Sequence, residues 1–159
     1  MIHNDVVRSL RYLLQTDDTG LEKIIGLGGG TTSRSEITAL MKRDDEEGYV
    51  LCGDEVMGQF LDGLIIQRRG REENAPVRAP EKVVTNNTVL KKLRVAFELK
   101  ETDFLELMAA SGFQVSKPEL SALFRNAEHK NFRAAGDQFL RNFLKALTVK
   151  LRPGAATLP

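Results

Sequence analysis

Apolar residues recur along this chain at the spacing of amphipathic helices. One side of the first such segment carries Val6, Val7, Leu10, Leu13 and Leu14. Positions i, i+1, i+4, i+7 and i+8 lie on one face of an α-helix. The one candidate strand, Val83-Val84, is too short to count. The pattern predicts an all-α protein.

The helical pattern occurs twice. A shift of 83 positions, from residue 4 to residue 87, aligns residues 4–69 with residues 87–152 without a gap. Four helical segments in each copy predict about eight helices in two tandem repeats. Because one repeat alone would bury little apolar surface, we expect the copies to pack into one helical domain, related by an approximate twofold axis.

Residues that suit helix ends mark the boundaries of these segments. Hydroxyl and carboxylate groups accept hydrogen bonds from free N–H groups at a helix start, and glycine takes the left-handed conformation after a helix end. The paired positions are Thr19 and Thr102 at the start of the second helix, Gly29 and Gly112 after its end, Ser33 and Ser116 with Glu36 and Glu119 as capping boxes on the third helix, and Asp54 and Asp137 as caps of the fourth.

The chain divides into four segments by composition. Residues 1–69 form the first repeat and residues 87–152 form the second. Residues 70–86 are polar, contain two prolines and lack a helical period, which is typical of a linker. Residues 153–159 are rich in Gly, Ala and Pro, and we expect a flexible tail.

Overall composition is ordinary, with 42% hydrophobic and 28% charged residues. No apolar run is long enough to cross a membrane, and no secretory signal pattern is present. Cys52 is the single cysteine, so no disulfide can form within the chain. These features predict a cytoplasmic protein.

The net charge of +1 conceals an asymmetry between the copies. Residues 4–69 hold eight Lys or Arg and twelve Asp or Glu, a balance of −4, whereas residues 87–152 hold twelve and seven, a balance of +5. The halves could attract each other, two molecules could associate head to tail, or the basic half could meet an anionic partner.

No motif indicates catalysis, a cofactor or a metal. The segment Gly28–Thr32 follows a predicted helix and lacks the lysine of a phosphate loop. The acidic run Asp44–Glu47 lacks the alternating ligands of a calcium loop. His3 and His129 are the only histidines, and neither has a partner at the spacing of a zinc site. We therefore predict a protein that is not an enzyme.

Several polar residues are identical in the two copies. The pairs are Asn4 and Asn87, Arg11 and Arg94, Glu36 and Glu119, and Asp54 and Asp137. The favoured interpretation is structural, with each arginine bridging a carboxylate or helix end inside its own copy. The alternative is a pair of equivalent ligand sites.

Basic residues of the second copy are the candidates for binding. They are Arg94, His129, Lys130, Arg133, Arg141 and Lys145. The segment 103–125 has the order of a helix-turn-helix, although its turn is longer than usual. The favoured function is a binding or adaptor module for a protein or an anionic ligand, and the alternative is a regulator that binds nucleic acid.

The most distinctive segments resemble one family. In the second copy they are Asn86–Arg94, His129–Arg133 and Gly136–Leu144, and in the first copy Asp45–Tyr49 and Phe60–Ile65. They are similar to the YehS-like family, uncharacterised bacterial proteins with a tandem domain of unknown function. The resemblance implies a bacterial cytoplasmic source. It carries no activity, cofactor or catalytic residue.

Overall fold

The computed structural model describes residues 1–71 and 81–152. Within these ranges the chain forms eight α-helices and no strand, which confirms the all-α prediction and the two tandem sets of four helices. The helices are α1 His3–Leu13, α2 Asp18–Leu27, α3 Arg34–Leu40, α4 Asp54–Arg69, α5 Asn86–Ala96, α6 Glu101–Ala110, α7 Lys117–Leu123 and α8 Asp137–Leu151.

The chain divides into two compact units. The first unit is Ile2–Val84, and the second is Thr85–Pro159 together with Met1. Most of the predicted linker and the whole predicted tail lie outside the described residues. The predicted twofold relation and the shared core stay predictions.

Local caps explain most helix ends. The Ser33 hydroxyl accepts the Glu36 backbone N–H at 3.2 Å, and the Ser116 hydroxyl accepts that of Glu119 at the same distance. Gly29 and Gly112 have φ of +91° and +81° after the second helix of each unit, as predicted. These features follow from short stretches of sequence.

The predicted caps of the second helices were wrong. Thr19 and Thr102 lie inside α2 and α6. α2 is capped by the Asp17 carboxylate, which accepts the Gly20 N–H at 2.9 Å. At α6 the Asp103 carboxylate accepts the Lys100 N–H at 2.8 Å. Carboxylates on either side of the threonines satisfy the free N–H groups instead.

The second helix packs against the fourth helix in a different way in each unit. In the first unit the backbones of α2 and α4 touch, because a Cβ on Gly63 would lie 1.7 Å from the Ile24 carbonyl oxygen. In the second unit Ala146 takes the place of Gly63. There the rings of Phe104 and Phe143 stack at 4.6 Å between centroids.

Candidate functional site

A buried asparagine ties the α3–α4 loop of the first unit to α1. The Asn4 side chain donates to the carbonyls of Leu40 at 3.0 Å and Val50 at 2.9 Å, and accepts the Cys52 backbone N–H at 2.8 Å. Asn4 is completely buried. Its amide therefore replaces the backbone pairing that this irregular segment cannot make for itself.

Asn87 makes the same three bonds in the second unit. It donates to the carbonyls of Leu123 at 2.9 Å and Arg133 at 2.8 Å, and accepts the Ala135 N–H at 2.8 Å. Every partner is offset by 83 residues from its counterpart in the first unit. We call residues 41–53 the first clasped loop and residues 124–136 the second clasped loop.

The clasped loops also share three equivalent backbone hydrogen bonds. In the first loop Glu46 N–H donates to Arg43 and Tyr49 N–H to Glu46, and in the second His129 N–H donates to Asn126 and Phe132 N–H to His129. A further bond joins each loop back to its preceding helix, from Val50 N–H to Ala39 and from Arg133 N–H to Ala122. The two loops thus share one backbone frame.

The side chains carried on this frame have opposite charge. The first clasped loop holds two Lys or Arg and four Asp or Glu, and the second holds three and one. At the tip, Glu46 and Glu47 of the first loop correspond to His129 and Lys130 of the second. All four of these tip residues are exposed. The two loops therefore share backbone hydrogen bonds, while the net charge of their side chains is negative in the first loop and positive in the second.

Three of the predicted binding residues lie together on the second clasped loop. They are His129, Lys130 and Arg133, all exposed. The Arg133 guanidinium lies 3.7 Å from the Glu119 carboxylate, and Arg125 contacts the His129 ring at 3.4 Å. Lys130 makes no ion pair with any described residue. Its ammonium group faces solvent.

Arg141 and Lys145 occupy a different element. Both are exposed on α8, one helical turn apart. Arg94 is half-buried on α5, where its Nε donates to the Leu99 carbonyl at 3.2 Å and its guanidinium lies 4.6 Å from the centre of the Phe124 ring. The Arg94 side chain is therefore held by contacts with other residues of the second unit.

The paired arginines both make contacts inside their own units, but with different partners. Arg11 lies 3.5 Å from the Asp18 carboxylate and is 39% exposed. Arg94 instead binds a carbonyl and an aromatic ring. The first unit has Met41 at the position of Phe124 and so offers Arg11 no ring.

The paired aspartates are not caps of their own helices, which corrects another prediction. Gly53 and Gly136 are the N-caps of α4 and α8, without side-chain hydrogen bonds. Asp54 lies 2.7 Å from His3 Nε2, and Asp137 accepts the Asn86 amide N–H at 2.8 Å. Each carboxylate joins the start of the fourth helix to the start of the first.

Hydrogen bonds from the His3 ring and then from the Val84 N–H hold the pKa of Asp54 below its usual value.

A cleft of about 260 Å³ opens beside the first clasped loop. Asn4, Asp5 and Arg8 of α1 form one side, and the lining also includes Ile2, Arg43, Asp44, Asp45 and Tyr49. The Arg8 guanidinium donates to the carbonyls of Met41 and Lys42, so it is held against the loop backbone. The lining also holds three carboxylates, of which Asp5 pairs with Arg8 and Asp45 with Arg43, and the phenol ring of Tyr49.

Cys52 is part of the first clasped loop, but its side chain is shielded from solvent. Its side chain is buried, and burial raises the pKa of the thiol to about 11. The protonated thiol is a poor nucleophile and metal ligand. Within residues 1–71 and 81–152, no group of three or more His, Cys, Asp or Glu side chains could hold a metal ion.

The candidate helix-turn-helix is α6, residues 111–116 and α7. Its second helix has only seven residues, Lys117–Leu123, about two turns. Glu119 and Ser121 are exposed on it beside Lys117. A helix this short presents few donors to base edges. Among the helices of the described ranges, none has the length and apolarity to cross a membrane.

Sequence reasoning singled out Asn4 and Asn87 by their identity but did not find their role. The one available signal was that both residues are identical in the two copies while neighbouring residues differ. Their partners lie 36 to 48 residues away in the chain. No local pattern connects residues so far apart.

Comparison with known proteins places the chain among relatives without an assigned activity. The profile described as "Protein of unknown function (DUF1456)" matches residues 3–70 and 86–153. Over 150 residues the chain is 45% identical to the uncharacterised protein YehS of Escherichia coli strain K12, covering 94% of this chain and 96% of that protein. No solved structure gives a significant match.

Proposed function

The chain belongs to the DUF1456 family, described as proteins of unknown function, and we propose that it is a non-catalytic binding module. Its binding surface is the second clasped loop, and its partner is a protein that presents a run of acidic side chains. One observation carries this proposal: the same loop frame is built twice, with the charges at its tip reversed.

In the second clasped loop some groups hold the backbone in place and others form the exposed basic tip, which supports a role in recognition. The asparagine and the backbone bonds hold the loop in place, so ordering it costs little when a partner binds. The His129 ring accepts the Asn131 N–H within the loop, whereas the Lys130 side chain makes no ion pair with any described carboxylate. A positioned basic loop attracts anionic groups and accelerates their encounter.

Fluorescence anisotropy with a labelled poly-glutamate peptide tests the proposal. We expect binding at low salt that weakens as salt is added, because exposed charges are screened. Lys130→Glu installs the side-chain charge of the first loop and should weaken binding by about tenfold, as for the loss of roughly 1.4 kcal/mol.

Lys150→Glu is the matched control. It changes net charge equally but lies in the last turn of α8, away from the loop. It should alter affinity by less than about twofold. Equal losses for the two variants would show that only overall charge matters, and the loop would not be the site.

Nucleic acid is the second candidate partner. The observation that favours it is the exposed pair Arg141 and Lys145, one turn apart on α8. Such a pair can follow the phosphates of a backbone without reading bases.

A further inference from the structure

We propose that the acidic partner of the second clasped loop is the first clasped loop of another copy of this chain. The inference rests on the proposed function and names its partner. Two molecules would meet head to tail, the Lys130 loop of one entering the cleft beside Asp44 and Asp45 of the other.

Complementarity between the loops is the first argument. The tip residues Glu46 and Glu47 on one frame stand where His129 and Lys130 stand on the other. Each tip therefore presents, on the same backbone, the charge that the other lacks. Contacts between two first loops or two second loops would place like charges together, which is unfavourable.

The first loop offers a cavity as well as charge. The cleft of about 260 Å³ lies between the start of α1 and the loop, and its lining combines three carboxylates with the ring of Tyr49 and the side chain of Ile2. A lysine has an apolar stem and a charged end. Tyr49 and Ile2 can pack along the stem while Asp44 pairs with the ammonium group, next to the carboxylates of Asp5 and Asp45.

The two arginines that line the cleft already have partners, so they do not compete with an incoming lysine for every carboxylate. Arg8 is bonded to Asp5 and to two loop carbonyls, and Arg43 pairs with Asp45 and Glu46. Asp44 has no ion pair among the described residues. A cation entering from outside finds that carboxylate unpaired.

Exposed apolar side chains occur in the cleft and in the first clasped loop. Ile2 is 45% exposed, and the consecutive loop residues Val50 and Leu51 are 52% and 62% exposed. Burying them adds a term that salt does not screen. The ion pairs alone contribute little at a surface, so we expect weak association that is strongest at low salt.

The contact is heterologous, because each molecule contributes one loop of each sign. Such contacts either close on themselves or extend into chains. Sedimentation velocity over a range of concentrations at low salt measures the association directly. We expect the wild-type protein to sediment faster as its concentration rises, and this shift to shrink at high salt.

Charge reversal identifies the two surfaces. Asp44→Lys and Lys130→Glu should each abolish the concentration-dependent shift, because the first substitution brings the charge balance of the first loop from −2 to 0 and the second brings that of the second loop from +2 to 0. An equimolar mixture of the two variants should restore it, since the unchanged basic second loop of Asp44→Lys meets the unchanged acidic first loop of Lys130→Glu. Lys150→Glu should associate like the wild-type protein.

Two outcomes overturn the inference. They are a wild-type protein that stays monomeric at low salt, and a variant mixture that stays monomeric although the wild-type protein associates. If poly-glutamate still binds in a manner that depends on Lys130, the proposed binding function stands and only the identity of the partner fails. If the peptide does not bind either, both fail.

Discussion

Asn4 and Asn87 each use one side-chain amide to satisfy three backbone groups of a loop. Asn4→Ala would leave the buried Cys52 N–H without an acceptor and two carbonyls without donors. We expect the free energy of unfolding to fall by about 1–3 kcal/mol. Urea denaturation followed by circular dichroism measures this change.

Asn87→Ala is the matched variant in the second unit. It should cost less than Asn4→Ala, because Asn87 is half-buried and water can reach its partners. It should also weaken poly-glutamate binding, since the loop that carries Lys130 loses its anchor. Equal stability of wild type and Asn4→Ala would show that the loop holds without the clasp.

Arg11 and Arg94 should differ in their effect on stability. Arg94→Ala removes a hydrogen bond to the Leu99 carbonyl and the contact with the Phe124 ring. We expect a loss of about 1–2 kcal/mol. Arg11→Ala removes a partly exposed ion pair with a long separation of 3.5 Å and should cost less than about 1 kcal/mol. Thermal unfolding of both variants compares them, and the reverse order would contradict this reading of the contacts.

Asp54 should make stability depend on pH. Its pKa is lowered in the folded protein by the hydrogen bond from His3. A carboxyl with a depressed folded pKa stabilises the protein above its unfolded pKa of about 3.9, and that contribution is lost as the pH falls through the folded pKa.

Asp54→Asn should therefore lose less stability than the wild-type protein when the pH drops from about 5 to 3. Urea midpoints at several pH values provide the measurement. His3→Asn, which copies Asn86 of the second unit, keeps a donor for Asp54 and should retain the wild-type slope. Parallel curves for wild type and Asp54→Asn would exclude this carboxyl as a source of the dependence.

At the scale of elements, the contact between α2 and α4 depends on glycine. A Cβ on Gly63 would meet the Ile24 carbonyl at 1.7 Å, so the helices must separate to admit it. Gly63→Ala should destabilise the protein by about 1–3 kcal/mol.

Gly58→Ala, in the same helix, is the control. Its Cβ would meet only Glu81 and Val84 side-chain atoms at 3.8 Å, an ordinary contact. Since alanine favours a helix over glycine, this variant should be neutral or more stable by up to about 1 kcal/mol. Similar effects of the two substitutions on the denaturation midpoint would rule out the close approach at Gly63.

At the scale of the whole molecule, the balance of −4 in residues 4–69 and +5 in residues 87–152 bears on nucleic acid. If α8 contacts phosphates, the affinity for a labelled DNA duplex should fall steeply with salt. The slope of log affinity against log salt changes by about 0.9 for each phosphate contact.

Arg141→Ala/Lys145→Ala should then reduce that slope by about 1.8, the value for two lost contacts. Lys23→Ala/Arg34→Ala removes two exposed basic residues from the first unit as a control and should leave the slope unchanged. If the α8 double variant binds the duplex with the wild-type slope, α8 is not the contact surface.

The sequence alone determined the helices and their duplication. Apolar residues at helical spacing identified the buried faces. The caps at Ser33, Ser116, Gly29 and Gly112 could be predicted because each acts within a few residues of its helix end. At the start of α2 the sequence pattern predicted Thr19 as the cap, whereas the N-cap is Asp17, two residues earlier. The helix start depends on geometry that one or two residues change.

Only the tertiary structure decided which polar residues build the loops and which remain outside them. The sequence showed that Asn4 and Asn87 recur, and that His129, Lys130 and Arg133 are basic. It could not show that the asparagines hold the very loops on which the basic and acidic tips lie. The bonds that do so join residues 36 to 48 positions apart. Such contacts exist only after helices pack, because packing brings distant backbone groups within reach of one side chain.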